Sequence, residues 1–275
     1  MDSKIVTPSC NMSELLETPI TFFLAKSVKN KYDPFVVKGH IASWLKFSNE
    51  VLANSCVPMR RTLSEVVYVD DIVDGEFQDI NLAHDLLEYF QPEKVKLLTQ
   101  SSNNYYGVVF STKKSNFEPE KCGQTNVAIY PKFFILDLSC PPTILEHELG
   151  HLVWANHDMD TLSYQVGGSV FDLELFYTLE QQSKIKPYSY GYLCGGRGTV
   201  MSYADVIHPF YSNPDITYDG ISCGNKRYAN NSKVLRDYSL KQLAANKLLH
   251  SDSIQLSRFL LKNKKQQKQH QLTLR

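Results

Sequence analysis

The sequence predicts a mixed α/β (α+β) fold, and three observations carry that expectation. The first half alternates β-branched apolar runs with segments of helical period. A helix rich in histidine lies centrally, and the remainder is loop-rich and then helical.

Residues 1–18 read as an irregular lead-in. Ile20–Ala25 is an unbroken apolar run, as a buried strand requires. Lys38–Asn54 spaces Ile41, Trp44, Leu45, Val51 and Leu52 for a helix packed on a sheet. Val57–Val69 reads as a second strand, ending at Asp70-Asp71. Asn81–Phe90 gives a short helix, Lys94–Thr99 a third strand and Asn104–Ser111 a further strand. A polar loop, Thr112–Gln124, separates that strand from Val127–Tyr130. Pro141-Pro142-Thr143 opens the central helix, because a first helical turn tolerates the missing N–H of proline. Ile144, Leu145, Leu149, Leu152 and Val153 supply its apolar face. Phe171–Gln182, Leu240–Leu249 and Ser253–Leu261 are expected helices, and 262–275 is a basic polar tail. No repeat or linker divides the chain, so 19–261 is expected to form one domain.

Lys+Arg 29 balance Asp+Glu 29, which argues against a dedicated nucleic-acid binder. No apolar run approaches the length of a membrane span. Six cysteines, none in a C-x-x-C pair, suit three disulfides in an oxidising compartment; six reduced thiols are the alternative. Cys122 with Cys140 and Cys194 with Cys223 are the preferred local pairs. The N-terminal MDSKIVTPSC has no signal-peptide apolar core. A secreted location therefore needs a leader already removed or another export route.

The chemistry concentrates in His147-Glu148-Leu149-Gly150-His151 and the following Asn156-His157-Asp158. Histidines four apart on a helix share a face, so His147 and His151 can reach one ion. With His157 they make the ligand set of a catalytic zinc (three nitrogens and a position left for water), and Glu148 sits beside the ion without ligating it. The longer pattern H-E-x-x-H-x-x-G-x-x-H is met except at Trp154, where glycine would let the chain bend. Tryptophan resists positive φ, so Asn156 is expected to take over the turn. Downstream, Thr199-Val200-Met201-Ser202-Tyr203 follows a glycine-rich stretch, and Met201 offers a polarizable floor beneath the imidazoles.

HELGHLVWANHD combined with TVMSY resembles the metzincin clan of zinc endopeptidases, and within it the reprolysin/adamalysin-like branch and its bacterial relatives. The resemblance spans about Ile20 to about Leu249. It implies a twisted mixed sheet over long helices, split by a cleft into an upper subdomain to about residue 157 and a lower one over 158–261. It implies one Zn2+ held by His147, His151 and His157, with Glu148 as general base. Met201 would be the methionine of the turn, and Asp158 an anchor to it. Tyr203 matches a tyrosine that ligates zinc reversibly in some branches; a packed tyrosine with a wet hydroxyl is the alternative. Gly107, Val108, Val109 and Phe110 would form the upper edge strand that pairs with extended substrate. Ala204–Phe210, including His208, would wall the pocket beyond the scissile bond. His40 and His84 read as surface or satisfied core residues. The expected partner is a protein or peptide substrate bound extended to a monomer. A zinc-stabilised binding module without peptidase activity is the competing class, with Trp154 its only support.

Overall fold

Strands buried on both faces need apolar residues on both, and ITFFLA supplies them. The computed structural model of the chain describes residues 4–72, 79–111, 122–166 and 178–248. A short strand β1 (Ile5–Val6) precedes β2 (Leu16–Ala25), then come α1 (Lys26–Lys31), α2 (Pro34–Asn54) and β3 (Met59–Val69). Next are α3 (Ile80–Phe90), α4 (Pro92–Gln100), β4 (Tyr105–Phe110), β5 (Gly123–Thr125), β6 (Phe133–Asp137) and α5 (Thr143–His151). The remainder holds α6 (Met159–Val166), α7 (Leu179–Gln182), the short strands β7 (Leu193–Cys194) and β8 (Arg197–Gly198), β9 (Asn213–Tyr218), β10 (Ile221–Cys223) and a helix α8 over 231–248.

The main sheet has the order β3-β2-β4-β6-β5, with β5 antiparallel and the other pairings parallel. Phe22 and Leu24 of β2, with Val109 and Leu136, pack against Ile41 and Trp44 of α2 and Leu145 and Leu149 of α5. The intervening Phe23 joins Val108, Phe110 and Ile135 on the other face, under α3 and α4. The chain is thus a mixed sheet covered by helices on both sides, as the α/β reading expects. The β9–β10 hairpin turns through Asp219-Gly220, both at positive φ (50° and 79°), which an Asp-Gly pair accepts at little cost.

Four local expectations are corrected. Lys94–Thr99 is helix α4, because Pro92 and Glu93 open a helix and Val95 and Leu98 bury at a spacing of three. Val127–Tyr130 is a turn closed by Asn126 accepting from Ile129 and Tyr130. The strands there are Phe133–Asp137 and, inside the expected loop, Gly123–Thr125. The lead-in is not wholly irregular: Ile5–Val6 pairs with β9 and β2 begins at Leu16. Residues 112–121, 167–177 and 249–275 lie outside the described residues, and with them most of the expected helix Phe171–Gln182, the helix Ser253–Leu261 and the tail.

The bridges Cys122–Cys140 and Cys194–Cys223 form as preferred, joined by Cys10–Cys56. Three disulfides are typical of extracellular proteins. Among the described residues no helix is long and apolar enough to cross a membrane.

One buried ion pair locks α5 to this frame. Arg61 of β3 donates from Nε and Nη2 to both oxygens of Glu146, each at 3.0 Å, and both side chains are wholly buried. The Tyr211 hydroxyl donates to Glu146 Oε1 at 2.8 Å, and Arg61 Nη1 reaches Thr18 Oγ1 at 3.3 Å. A bidentate pair saturated in this way tolerates burial; half of it does not. Arg61→Met alone is expected to cost about 3–5 kcal/mol, and the double variant Arg61→Met/Glu146→Leu much less. Denaturant unfolding checks this, and equal losses in the two variants would contradict it.

Candidate metal centre

The centre begins with where a helix stops. Trp154 N–H donates to the His151 carbonyl and Ala155 N–H to that of Gly150, the paired bonds of a Schellman close. That close needs a left-handed residue, and Trp154 itself supplies it at φ 69°. Asn156 does not take the turn, contrary to expectation. It is held instead against the 189–191 segment: its N–H donates to Ser189 O at 2.7 Å, and its carbonyl accepts from Gly191 N–H. The reversal swings His157 back over α5.

His157 Nε2 lies 3.0 Å from the Nε2 of His147 and 3.0 Å from that of His151. The opposite nitrogens of the two helical rings are engaged. His147 Nδ1 meets the Val200 carbonyl at 2.8 Å, and His151 Nδ1 meets that of Ala155 at 3.0 Å. A carbonyl only accepts, so each Nδ1 carries the proton and each Nε2 presents a lone pair inward. Three imidazoles converge on a point that could hold a metal ion. The donor set fits a cation: one proton on His157 could bridge only one of the two contacts, leaving lone pair against lone pair in the other. Burial pushes the His147 imidazole down to about 3 and His151 down as well, with the neighbouring His157 adding to both. The rings therefore stay neutral and ligating at ordinary pH.

Glu148 lies beside this point, 4% exposed, with Thr125 of β5 donating to Oε2 at 3.2 Å. Burial raises its carboxyl to about 8, and the Thr125 hydroxyl works against that rise. Gly123 makes the approach to β5 possible: a Cβ there would stand 2.6 Å from Glu148 Oε1. Met201 is fully buried beneath α5, and a Cβ on Gly150 would meet its sulfur at 2.6 Å. The histidine-bearing helix thus rests on the methionine turn through its one glycine. The Tyr203 ring stacks near His147 (5.7 Å between centroids, 23°) and lies 4.6 Å from His157. A cleft of about 630 Å³ opens over these groups, walled by Ile144, Val200, Tyr203, Ala204, Asp205 and Ile207 among others.

Other expected site residues fall elsewhere. Gly107, Val108, Val109 and Phe110 are not an edge: β4 pairs on both sides, with β2 and β6, and all four are buried. Among the described residues the sheet edge beside Glu148 is β5, hidden from the sequence reading inside a polar stretch. His208 does not face the cleft; it is 1% exposed and stacks on Phe210 at 4.9 Å. The Asp158 carboxylate bonds the N–H and hydroxyl of Thr161 at the start of α6. Its link to the methionine turn runs through its backbone. Gly191 packs between Asp158 N and Met201 O, and a Cβ there would lie 3.0 Å from each. His84 is a core residue, bonded to the Tyr106 hydroxyl at 2.9 Å. Sequence reasoning missed Glu146, although it shares a helical stripe with Leu149, Gly150 and Val153, a pattern that announces a buried carboxylate in need of a partner.

No protein-family model and no curated protein matches the chain. Among solved structures the chain is similar to one described as a chaperone–substrate complex (TM-score 0.58, 14% identity, covering 83% of this chain and 34% of that one). It also aligns with metalloproteinase-II from Bacteroides fragilis (TM-score 0.32, 14% identity, covering 55% of this chain and 46% of that one). The chain spans about a third of the first structure's length. The first likeness bears on the fold alone, and the second is too slight to add to it.

The Schellman close generates a prediction. A β-branched side chain fits the left-handed region worst and glycine best, so Trp154→Val is expected to be less stable than Trp154→Gly by about 1–2 kcal/mol. Denaturant midpoints compare the two; equal stabilities would mean that the backbone does not need this conformation.

Proposed function

We propose that the chain is a zinc-dependent endopeptidase of the metzincin type, close to the reprolysin/adamalysin-like branch. The observation that carries this is the inward convergence of three imidazole Nε2 atoms, with a carboxylate beside them at the floor of an open cleft. His147, His151 and His157 would hold the zinc, which would supply Lewis acidity and lower the pKa of water at the site to about 7.

The chain's own groups do the remainder. Glu148 accepts the proton of the attacking water and later returns it to the leaving amine. Its carboxyl, raised by burial and held back by the Thr125 hydroxyl, keeps a transferred proton better than an exposed one once a nearby cation has favoured its ionised form. The Tyr203 hydroxyl is the candidate to stabilise charge on the carbonyl oxygen, since its ring lies against two of the ligands. β5, a three-residue strand that forms the sheet edge among the described residues, offers backbone groups to an extended substrate next to Glu148. Met201 and Asp158 hold the turn and the third ligand in place. The proposed substrate is a polypeptide, bound by a monomer in an extracellular setting that suits the three disulfides. The binding-module alternative loses its support, because Trp154 makes the turn that the third histidine needs.

Two variants test the assignment. Glu148→Ala is expected to retain stoichiometric zinc while kcat/KM on a generic peptide falls by about 10²–10⁴ or more. An active variant would remove the base assignment. His151→Ala is expected to lose both metal and activity, and full zinc by elemental analysis of the folded variant would contradict the ligand set.

A further inference from the structure

A second groove, of about 500 Å³, lies next to the cleft. One wall is a stripe of α2, with Val36, Gly39, His40 and Ser43 recurring at i, i+3, i+4 and i+7. The other wall is Ser139–Pro142, the segment that leads into α5. Pro141 lines both cavities, and the Cys122–Cys140 bridge has one half in each. The groove is thus continuous in its walls with the proposed active-site cleft.

Gly39 is the telling residue. Glycine inside a helix costs about 0.8–1.0 kcal/mol relative to alanine. Nothing lies within 4 Å of where its Cβ would be, and its φ is not in the left-handed region, so neither packing nor backbone geometry asks for glycine here. Its effect is to leave the groove wall low. One turn earlier on the same helix Phe35 is 83% exposed, and the adjoining Val36 is 40% exposed. Apolar surface left open beside an unfilled groove suits an apolar side chain arriving from outside.

We propose that this groove extends the substrate site and takes an apolar side chain of the same polypeptide whose scissile bond lies at the metal centre. This rests on the endopeptidase reading. Pro142 stands five residues before His147, about 7–8 Å along the helix axis. At about 3.3 Å per extended residue, the substrate enters the groove some two to four residues from the bond it loses. Specificity would then be set partly at a distance from the chemistry, by whether an apolar residue stands at that position.

The test compares two fluorogenic peptides with the same central sequence: one of about four residues, confined to the cleft, and one of about twelve with leucine at the outer positions. Gly39→Phe fills the groove from an open position in α2, and Gly39→Ala serves as a control that improves helix propensity while adding one methyl. With zinc-loaded protein, Gly39→Phe is expected to raise KM for the long peptide about ten-fold, the value of one buried leucine, with kcat unchanged. Gly39→Ala, which raises the wall by one methyl, should raise that KM by less, and neither variant should alter the short peptide. An unchanged KM for the long peptide, or an equal rise for both, overturns the groove while leaving the peptidase intact. If zinc-loaded wild type cleaves neither peptide, the endopeptidase reading fails and takes the groove with it.

Discussion

Everything at the centre follows from two hydrogen bonds that make no contact with the presumed ion. Val200 O and Ala155 O fix the protons of His147 and His151 on Nδ1. The inward nitrogens are then bare, and the fold presses a third imidazole against both at 3.0 Å. In a site that resists protonating the rings, such crowding of lone pairs is unfavourable in the absence of a cation. The protein therefore holds an electrostatic demand in its scaffold, and the carbonyls that create it come from the two motifs themselves. One is Ala155, just past the turn that closes the histidine helix; the other is Val200, the residue before Met201.

Holding that geometry requires α5 to be immobile, and three contacts provide this. The Schellman close at Trp154 decides where the helix ends and returns His157. Gly150 seats the helix on the Met201 sulfur, and the same Cβ position would lie 3.0 Å from the Tyr211 hydroxyl. Glu146, one residue before the first ligand, is bound by Arg61 and Tyr211. Arg61 belongs to β3 and Tyr211 follows the methionine turn. A single carboxylate thus ties the sheet, the ligand helix and the segment below it. A buried ion pair is weak evidence for stability; its contribution here is positional, since it joins α5 to both of its neighbours.

The histidine cluster, with Glu148 and Met201 beside it, was legible in the sequence because its spacing on one helix and one turn is local information. The same holds for β2, α2, β4 and two of the disulfides, each marked by period or proximity. What failed was information that depends on neighbours. β4 and an edge strand have the same apolar pattern; only the presence of β6, which arrives later in the chain, makes β4 central. β5 is three residues long and half-buried, with no apolar alternation to betray it. Trp154 was misjudged because propensity disfavours what the tertiary bonds impose. Its positive φ is enforced by Asn156 being anchored to the 189–191 segment, far away in sequence. His208 looked like a lining residue from its neighbours in sequence, yet stacking on Phe210 turns it inward.

The placement of Glu148 shows how edge and centre are coupled. Removed from water, its carboxyl rises to about 8, which alone would leave it largely protonated at neutral pH and useless as a base. Two influences oppose this. The Thr125 hydroxyl stabilises the ionised form directly, and a dication held by the three histidines would do so more strongly, since an opposite charge within a few ångströms favours the carboxylate. In the proposed role of base, Glu148 would thus depend on a bound dication as well as on Thr125 of β5. Gly123 permits the Thr125 contact, because any side chain there would push the carboxylate away from it. A substrate strand added to β5, the sheet edge among the described residues, would shield this same carboxylate further from water and raise its proton affinity as the water attacks.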